Sequence, residues 1–158
     1  MKNNKIKNQK ELKTVIDKLR KQGKRIAFTN GCFDLLHYGH IKYLQEAKRS
    51  TDILILGLNS DGSIKEIKGN NRPLNKQADR AKVLSALSCV DYVCIFSQPT
   101  PLKLIKLVKP EILIKGGDWE IDKIVGADFV KSYGGKVRVI PYLKGYSTTG
   151  LINKISCG

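Results

Sequence analysis

The sequence has one tryptophan and one methionine among 158 residues, and no apolar run longer than the six residues from Ile53 to Leu58. A bilayer span takes roughly 20 apolar residues, so no transmembrane helix is expected. The amino terminus, MKNNKIKNQK, is basic but is followed by no apolar stretch and no small-residue cleavage site. A secretory signal is therefore not expected, and a cytoplasmic location is. The four cysteines, Cys32, Cys89, Cys94 and Cys157, form no C-x-x-C pair and have no histidine at zinc-ligand spacing, which argues against a disulfide framework and a zinc site. Cys89 and Cys94 read as small core hydrophobes. The glycine signature G-x-G-x-x-G is missing after the first apolar run, and so is G-x-x-x-x-G-K-[ST], which argues against a dinucleotide enzyme and a P-loop enzyme.

Acidic residues are also few, 14 against 29 basic, and the net charge of +15 suggests an anionic partner. Residues 1–25 hold ten basic residues, Lys2 among them, against Glu11 and Asp17, so +8 of the +15 lies ahead of the first strand. Most of these are lysines, and the first aromatic residue of the chain is Phe28. Nucleic-acid surfaces combine charge with arginine and stacking rings, so a solvated helix face fits better and no nucleic acid is expected. A basic nucleic-acid-binding module without catalysis is the alternative from a different class; it would bind with a steep salt dependence.

What is present is an ordinary globular composition, 41% hydrophobic and 27% charged, at a length that suits one domain. Leu12, Val15, Ile16 and Leu19 mark one face of an amphipathic helix that Gly23 should end. Arg25 to Thr29, Asp52 to Leu58, Asp91 to Phe96, Glu111 to Lys115 and Lys136 to Tyr142 are apolar runs too continuous for one-sided strands. Helical patterns lie between them, at about 39–49, 76–88, 100–109 and 121–133, and a last helix runs from Thr148 to Ile155. The prediction is an α/β fold: a Rossmann-like open parallel sheet of about five strands with helices on both faces and ligands at the carboxyl ends of the strands. Residues 1–24 would form a basic amino-terminal helix and residues 25–158 a single domain. The connection Asn59 to Asn75, NSDGSIKEIKGNNRPLN, reads as a long structureless segment of the functional or mobile kind.

The run after the first strand, Thr29-Asn30-Gly31-Cys32-Phe33-Asp34-Leu35-Leu36-His37-Tyr38-Gly39-His40, leads straight into a helix and holds both histidines of the chain. A single histidine is an ordinary imidazole until something else speaks for it. Here two stand three apart where a helix opens, so their rings project to one side over the free amides of the first turn. Gly39 between them removes a side chain and lets a ligand approach the backbone. A helix amino terminus after a buried parallel strand already attracts anions, and two imidazole donors suit a phosphate whose charge grows during reaction.

GCFDLLHYGH resembles the signature of the nucleotidyltransferase superfamily that carries an H-x-G-H motif on a Rossmann-like domain. The resemblance implies that His37 and His40 are catalytic, stabilising the transition state at the α-phosphate of a nucleoside triphosphate. Ser147-Thr148-Thr149, over a hundred residues later, resembles the superfamily's S-T-T, which holds the β- and γ-phosphates at a helix start. Ser147 also reads as a helix N-cap, and the two roles are compatible.

Over residues 25–155 the chain is similar to the D-glycero-β-D-manno-heptose 1-phosphate adenylyltransferases, on the stretches TNGCFDLLHYGHIKYL, GLNSDGSIKEIKGNNRPLN, KGGDW and GYSTTGLINKI. That family joins ATP and the sugar phosphate to give ADP-heptose and pyrophosphate for the lipopolysaccharide core, often with a sugar kinase fused ahead. The resemblance implies a stand-alone form, a homo-oligomer, a separate heptose kinase, no membrane insertion, and magnesium bridging the ATP phosphates with few direct protein ligands. The runner-up, glycerol-3-phosphate cytidylyltransferase, has an Arg-Thr pair where this sequence has Tyr142 and Leu143, and a histidine where Gly117 stands, but shares Trp119.

Carried over by resemblance, Thr29, Gly31, Cys32, Phe33, Gly39, Arg80, Gly116, Gly117, Asp118, Ser147, Thr148 and Thr149 would bind nucleotide. Asp34, Asn59, Asp61, Lys68 and Trp119 would bind the sugar phosphate. Several keep plainer readings: an exposed charge for Arg80 and Lys68, an Asx turn before Gly62 for Asn59 and Asp61, simple packing for Trp119. Lys42 reads as a surface residue. No residue is expected to be a dedicated metal ligand.

Overall fold

The computed structural model describes residues 5–157; Lys2 and the final glycine, which the expected domain limits include, lie outside them. The elements follow as α1 (Gln9–Lys21), β1 (Ile26–Gly31), α2 (Tyr38–Arg49), β2 (Ile53–Asn59), α3 (Asp61–Lys68), α4 (Gln77–Ala86), β3 (Tyr92–Phe96), α5 (Leu102–Val108), β4 (Ile112–Gly116), α6 (Ala127–Ser132), β5 (Lys136–Ile140) and α7 (Thr148–Ser156). The five strands form one sheet in the order β3-β2-β1-β4-β5, and every pairing is parallel. This is the Rossmann-like α/β architecture the alternation predicts.

Because side chains alternate along a strand, each apolar run feeds two cores. Ile26, Phe28, Ile55, Cys94 and Leu113 point to one face and are buried with Leu12 and Ile16 of α1, Leu104 and Ile105 of α5 and Val130 of α6. Ala27, Leu54, Leu56, Val93 and Ile114 point to the other, against Leu44 and Ala47 of α2 and Ala81 and Leu84 of α4. Both faces being covered is why the strands read as continuous hydrophobic runs. Helix α1 starts with a capping box, in which Asn8 accepts from the Glu11 amide and Glu11 from the Asn8 amide, both at 2.9 Å. Its exposed lysines face outward, whereas Lys5 is tied down: its Nζ donates to the carbonyls of Leu87 and Val90. Among the described residues no helix is long and apolar enough to cross a membrane.

Two expectations about local structure are corrected. The segment from Asn59 to Asn75 is not structureless, because residues 61–68 form α3. Ser60 caps that helix by accepting from the Ser63 amide, and Ile64 is its buried anchor. The helix expected at 121–133 is broken into a 3₁₀ turn, Ile121–Lys123, and the short α6. Gly126 between them has φ +87°, and a side chain there would meet Ile105 at 2.8 Å. A straight helix therefore cannot pass this point.

The sheet order reverses between β1 and β4, the place where folds of this type bind ligands. These two strands pair only at Ala27 with Ile112 and Phe28 with Leu113. Beyond that register a crevice opens between their carboxyl ends.

Candidate active site

The crevice is a cavity of about 380 Å³ walled by Asn30 and Gly31 from β1, Lys115 and Gly116 from β4, the loop and first turn of α2, Lys68 of α3, and the start of α7. Gly31 is needed where it stands, since a Cβ there would lie 2.8 Å from the Phe33 ring. Phe33 itself holds φ +45°, a conformation costly for a bulky residue. That turn sets its ring 5.2 Å from the ring of His40.

His37 is the N-cap residue of α2, yet its side chain makes no capping bond. The ring stacks on His40 instead, with centroids 3.8 Å apart and planes at 23°. Gly39 permits this, because a Cβ there would sit 3.0 Å from the His37 ring and 3.0 Å from Cβ of Tyr146. The Nδ1 atoms of both histidines are buried with no hydrogen-bond partner among the described residues. Burial, then the charges of His37 and Lys68, lowers the pKa of His40 to about 4; burial also lowers that of His37. At neutral pH both rings are uncharged, and both line the cavity.

Facing them, α7 is capped by Ser147, whose Oγ accepts from the Gly150 amide at 2.9 Å. The Thr148 hydroxyl donates to the Leu35 carbonyl at 3.3 Å, fastening α7 to the loop that carries the histidines. His37, His40, Ser147, Thr148 and Thr149 all line the one cavity. The wall thus offers imidazoles, hydroxyls and two ammonium groups, a donor set for phosphate oxygens.

The remaining predicted residues divide. Cys32, Phe33, Asp34, Gly39, Lys68 and Gly116 are in the wall. Thr29 is buried behind it, with its hydroxyl 2.7 Å from that of Tyr43. Arg80 does not reach the cavity: it is 2% exposed and donates to the carbonyls of Cys32 and Asn75 and to Asp61 at 2.6, 2.9 and 2.8 Å. Asp61 is engaged by that bond, and buried Asn59 donates to Ser63 Oγ at 2.8 Å. Gly117 lies under the Tyr142 ring, Asp118 is exposed, and neither lines the cavity. Trp119 borders a separate pocket of about 70 Å³ and lies beneath the Lys115 ammonium, 5.7 Å from it.

Sequence reasoning missed Tyr43, Lys115, Tyr142 and Tyr146 in the wall. Lys115 carried a signal, a cation inside an otherwise apolar strand; burial lowers its pKa. Asp34 is the one carboxylate of the wall, and among the described residues no cluster of His, Cys, Asp and Glu could hold a metal ion.

Residues 28–153 match the model of the cytidylyltransferase-like family. The chain is 54% identical over 151 residues to the bifunctional protein HldE of Geobacter metallireducens and 53% identical to that of Trichlorobacter lovleyi. Each match covers 96% of this chain but 31% of the relative, so the chain spans about a third of their length. Among solved structures, the lipopolysaccharide core biosynthesis protein of Thermoplasma volcanium superposes with a TM-score of 0.62 at 29% identity, covering 79% of this chain and all of the other. With the stacked histidine pair, the parallel sheet and the family match in agreement, this chain belongs to the cytidylyltransferase-like family.

Proposed function

We propose that this chain transfers AMP from ATP to D-glycero-β-D-manno-heptose 1-phosphate, releasing pyrophosphate and giving ADP-heptose for lipopolysaccharide core synthesis. The observation that carries the reading is the stacked pair His37 and His40 sharing one cavity with Ser147, Thr148 and Thr149. The nucleophile is an oxygen of the sugar phosphate, already anionic at neutral pH because the second pKa of a phosphate monoester is near 6. It needs no general base. The new bond forms between that oxygen and the α-phosphorus, while the bond from the α-phosphorus to the bridging oxygen breaks and its electron pair leaves with pyrophosphate.

In this reading the histidine rings donate to the α-phosphate as its charge grows, and the amino terminus of α7 holds the outer phosphates. Lys68 approaches the sugar phosphate. Magnesium arrives on the triphosphate as part of the substrate, which suits a wall of donors whose one carboxylate is engaged by Arg72, Leu74 and Asn75. In this reading a heptose kinase supplies the sugar phosphate that this chain consumes. We place the reaction in the cytoplasm and expect a homo-oligomer.

The test is pyrophosphate release with ATP and CTP crossed against heptose 1-phosphate and glycerol 3-phosphate. Release with ATP and heptose 1-phosphate is expected. Release confined to CTP and glycerol 3-phosphate would transfer the chain to the runner-up activity, and none with any pair would overturn the reading.

A further inference from the structure

Asp34 sits in the wall of a cavity built for anions, where a free carboxylate would repel the ligand. It is not free. At 5% exposure it accepts from Arg72 Nη1 and from the amides of Leu74 and Asn75, each at 2.9 Å, and its own carbonyl accepts from Asn75 Nδ2 at 2.8 Å. The peptide it grips joins α3 to α4 and has no regular structure. Arg80 holds the same peptide from below through the Asn75 carbonyl.

Lys68 is the last residue of α3, and every residue of that helix after Ile64 is exposed. Packing therefore does not fix the end of the helix that presents Lys68 to the cavity. The next firm attachment along the chain is the grip of Asp34 on Arg72, Leu74 and Asn75.

We propose that Asp34 and Arg72 form a clasp that positions Lys68 for the sugar phosphate, and that neither side chain touches that substrate itself. The role of Lys68 rests on the function proposed above; the clasp does not. Arg72 cancels the carboxylate's charge, and the carboxylate orders the loop, so each side chain acts through the other.

The test uses the full chain carrying R72Q, D34N or both. Hydrogen exchange is followed at the amides of Leu74 and Asn75 without ligand, and KM for ATP and for heptose 1-phosphate by pyrophosphate release. Each single substitution is expected to speed exchange at both amides by about tenfold or more, the scale of a lost buried hydrogen bond to a charged group. Each should raise KM for the sugar phosphate more than KM for ATP. The double variant should lose less kcat/KM than the product of the single losses. Losses that multiply, with exchange unchanged, would mean that Asp34 meets substrate directly and would overturn the clasp.

If D34N does not fold, R72Q decides alone: faster exchange with a raised sugar-phosphate KM supports the clasp, and an unchanged KM rejects it. R72K, which keeps the charge, should recover part of the KM loss. The exchange measurement needs no substrate. Missing turnover with heptose phosphate would thus count against the proposed activity, while slow exchange in R72Q would count against the clasp.

Discussion

Triphosphate binding should draw a proton onto His40. Burial and its charged neighbours bring the pKa of this imidazole to about 4 from an ordinary value of 6.5. Protonating the ring in the empty cavity therefore costs about 3 kcal/mol more than in water. A phosphate oxygen about 4 Å away, at the effective dielectric of a protein site, returns about 4 kcal/mol. The second figure exceeds the first, so a bound triphosphate restores the ring to its ordinary titration range or above it. At pH 6 the free protein carries almost no proton on His40, and the complex should carry about half a proton or more. Calorimetric titration with ATP at pH 6, in two buffers of different ionisation enthalpy, reads the proton uptake. The nucleotide's own terminal phosphate also exchanges protons in this range. The comparison is therefore with His40→Gln, which keeps an amide donor but cannot take up the proton. Wild type should exceed the variant by that half proton; equal uptake by two proteins that both bind ATP would refute the reasoning.

The same histidine makes stability depend on pH. Its folded pKa lies below its unfolded one, so its contribution is intact above pH 6.5 and is lost as pH falls toward 4. Between pH 7 and pH 5 the wild type should lose about 2 kcal/mol that His40→Gln does not, checked by urea unfolding at both pH values. Gly39→Ala should push the His37 ring by a few tenths of an ångström and lower kcat by about ten- to a hundredfold, with little change in melting temperature. Steady-state kinetics beside a thermal melt separate the two effects. Leu12→Ala should cost about 2–5 kcal/mol in urea unfolding, because that α1 side chain is fully buried in the core shared with β1 and α5.

The sheet was legible in the sequence because strands buried on both faces leave unbroken apolar runs, as Ile53 to Leu58 does. The pairing of His37 with His40 was legible because it needs only a helical start and a spacing of three. Helix α3 was hidden because its first residues, Asp61, Gly62 and Ser63, are also turn formers, and the cap that decides the matter is one serine hydroxyl. The place of Arg80 was hidden for a different reason. Asp61 and the Cys32 carbonyl, which hold it, lie 19 and 48 residues away in sequence, and only the fold brings them together. Tyr142 and Tyr146 carry no local mark either, since they reach the cavity on the connection between β5 and α7.

The short stretch before α1 also bears on how copies of this chain behave toward one another. Ile6 bridges to Val93, with the Lys7 amide donating to the Val93 carbonyl and the Val93 amide to the Lys5 carbonyl. That added rung occupies hydrogen-bonding groups at the rim of β3 that would otherwise invite a strand from another molecule. At the opposite rim β5 is only five residues long and carries the exposed Lys136, with Arg138 paired to Glu46, both ways of blunting a sheet edge. Both margins of the open sheet are thereby made poor templates for an added strand, one by the chain's own segment before α1 and the other by its shortness and its charged side chains.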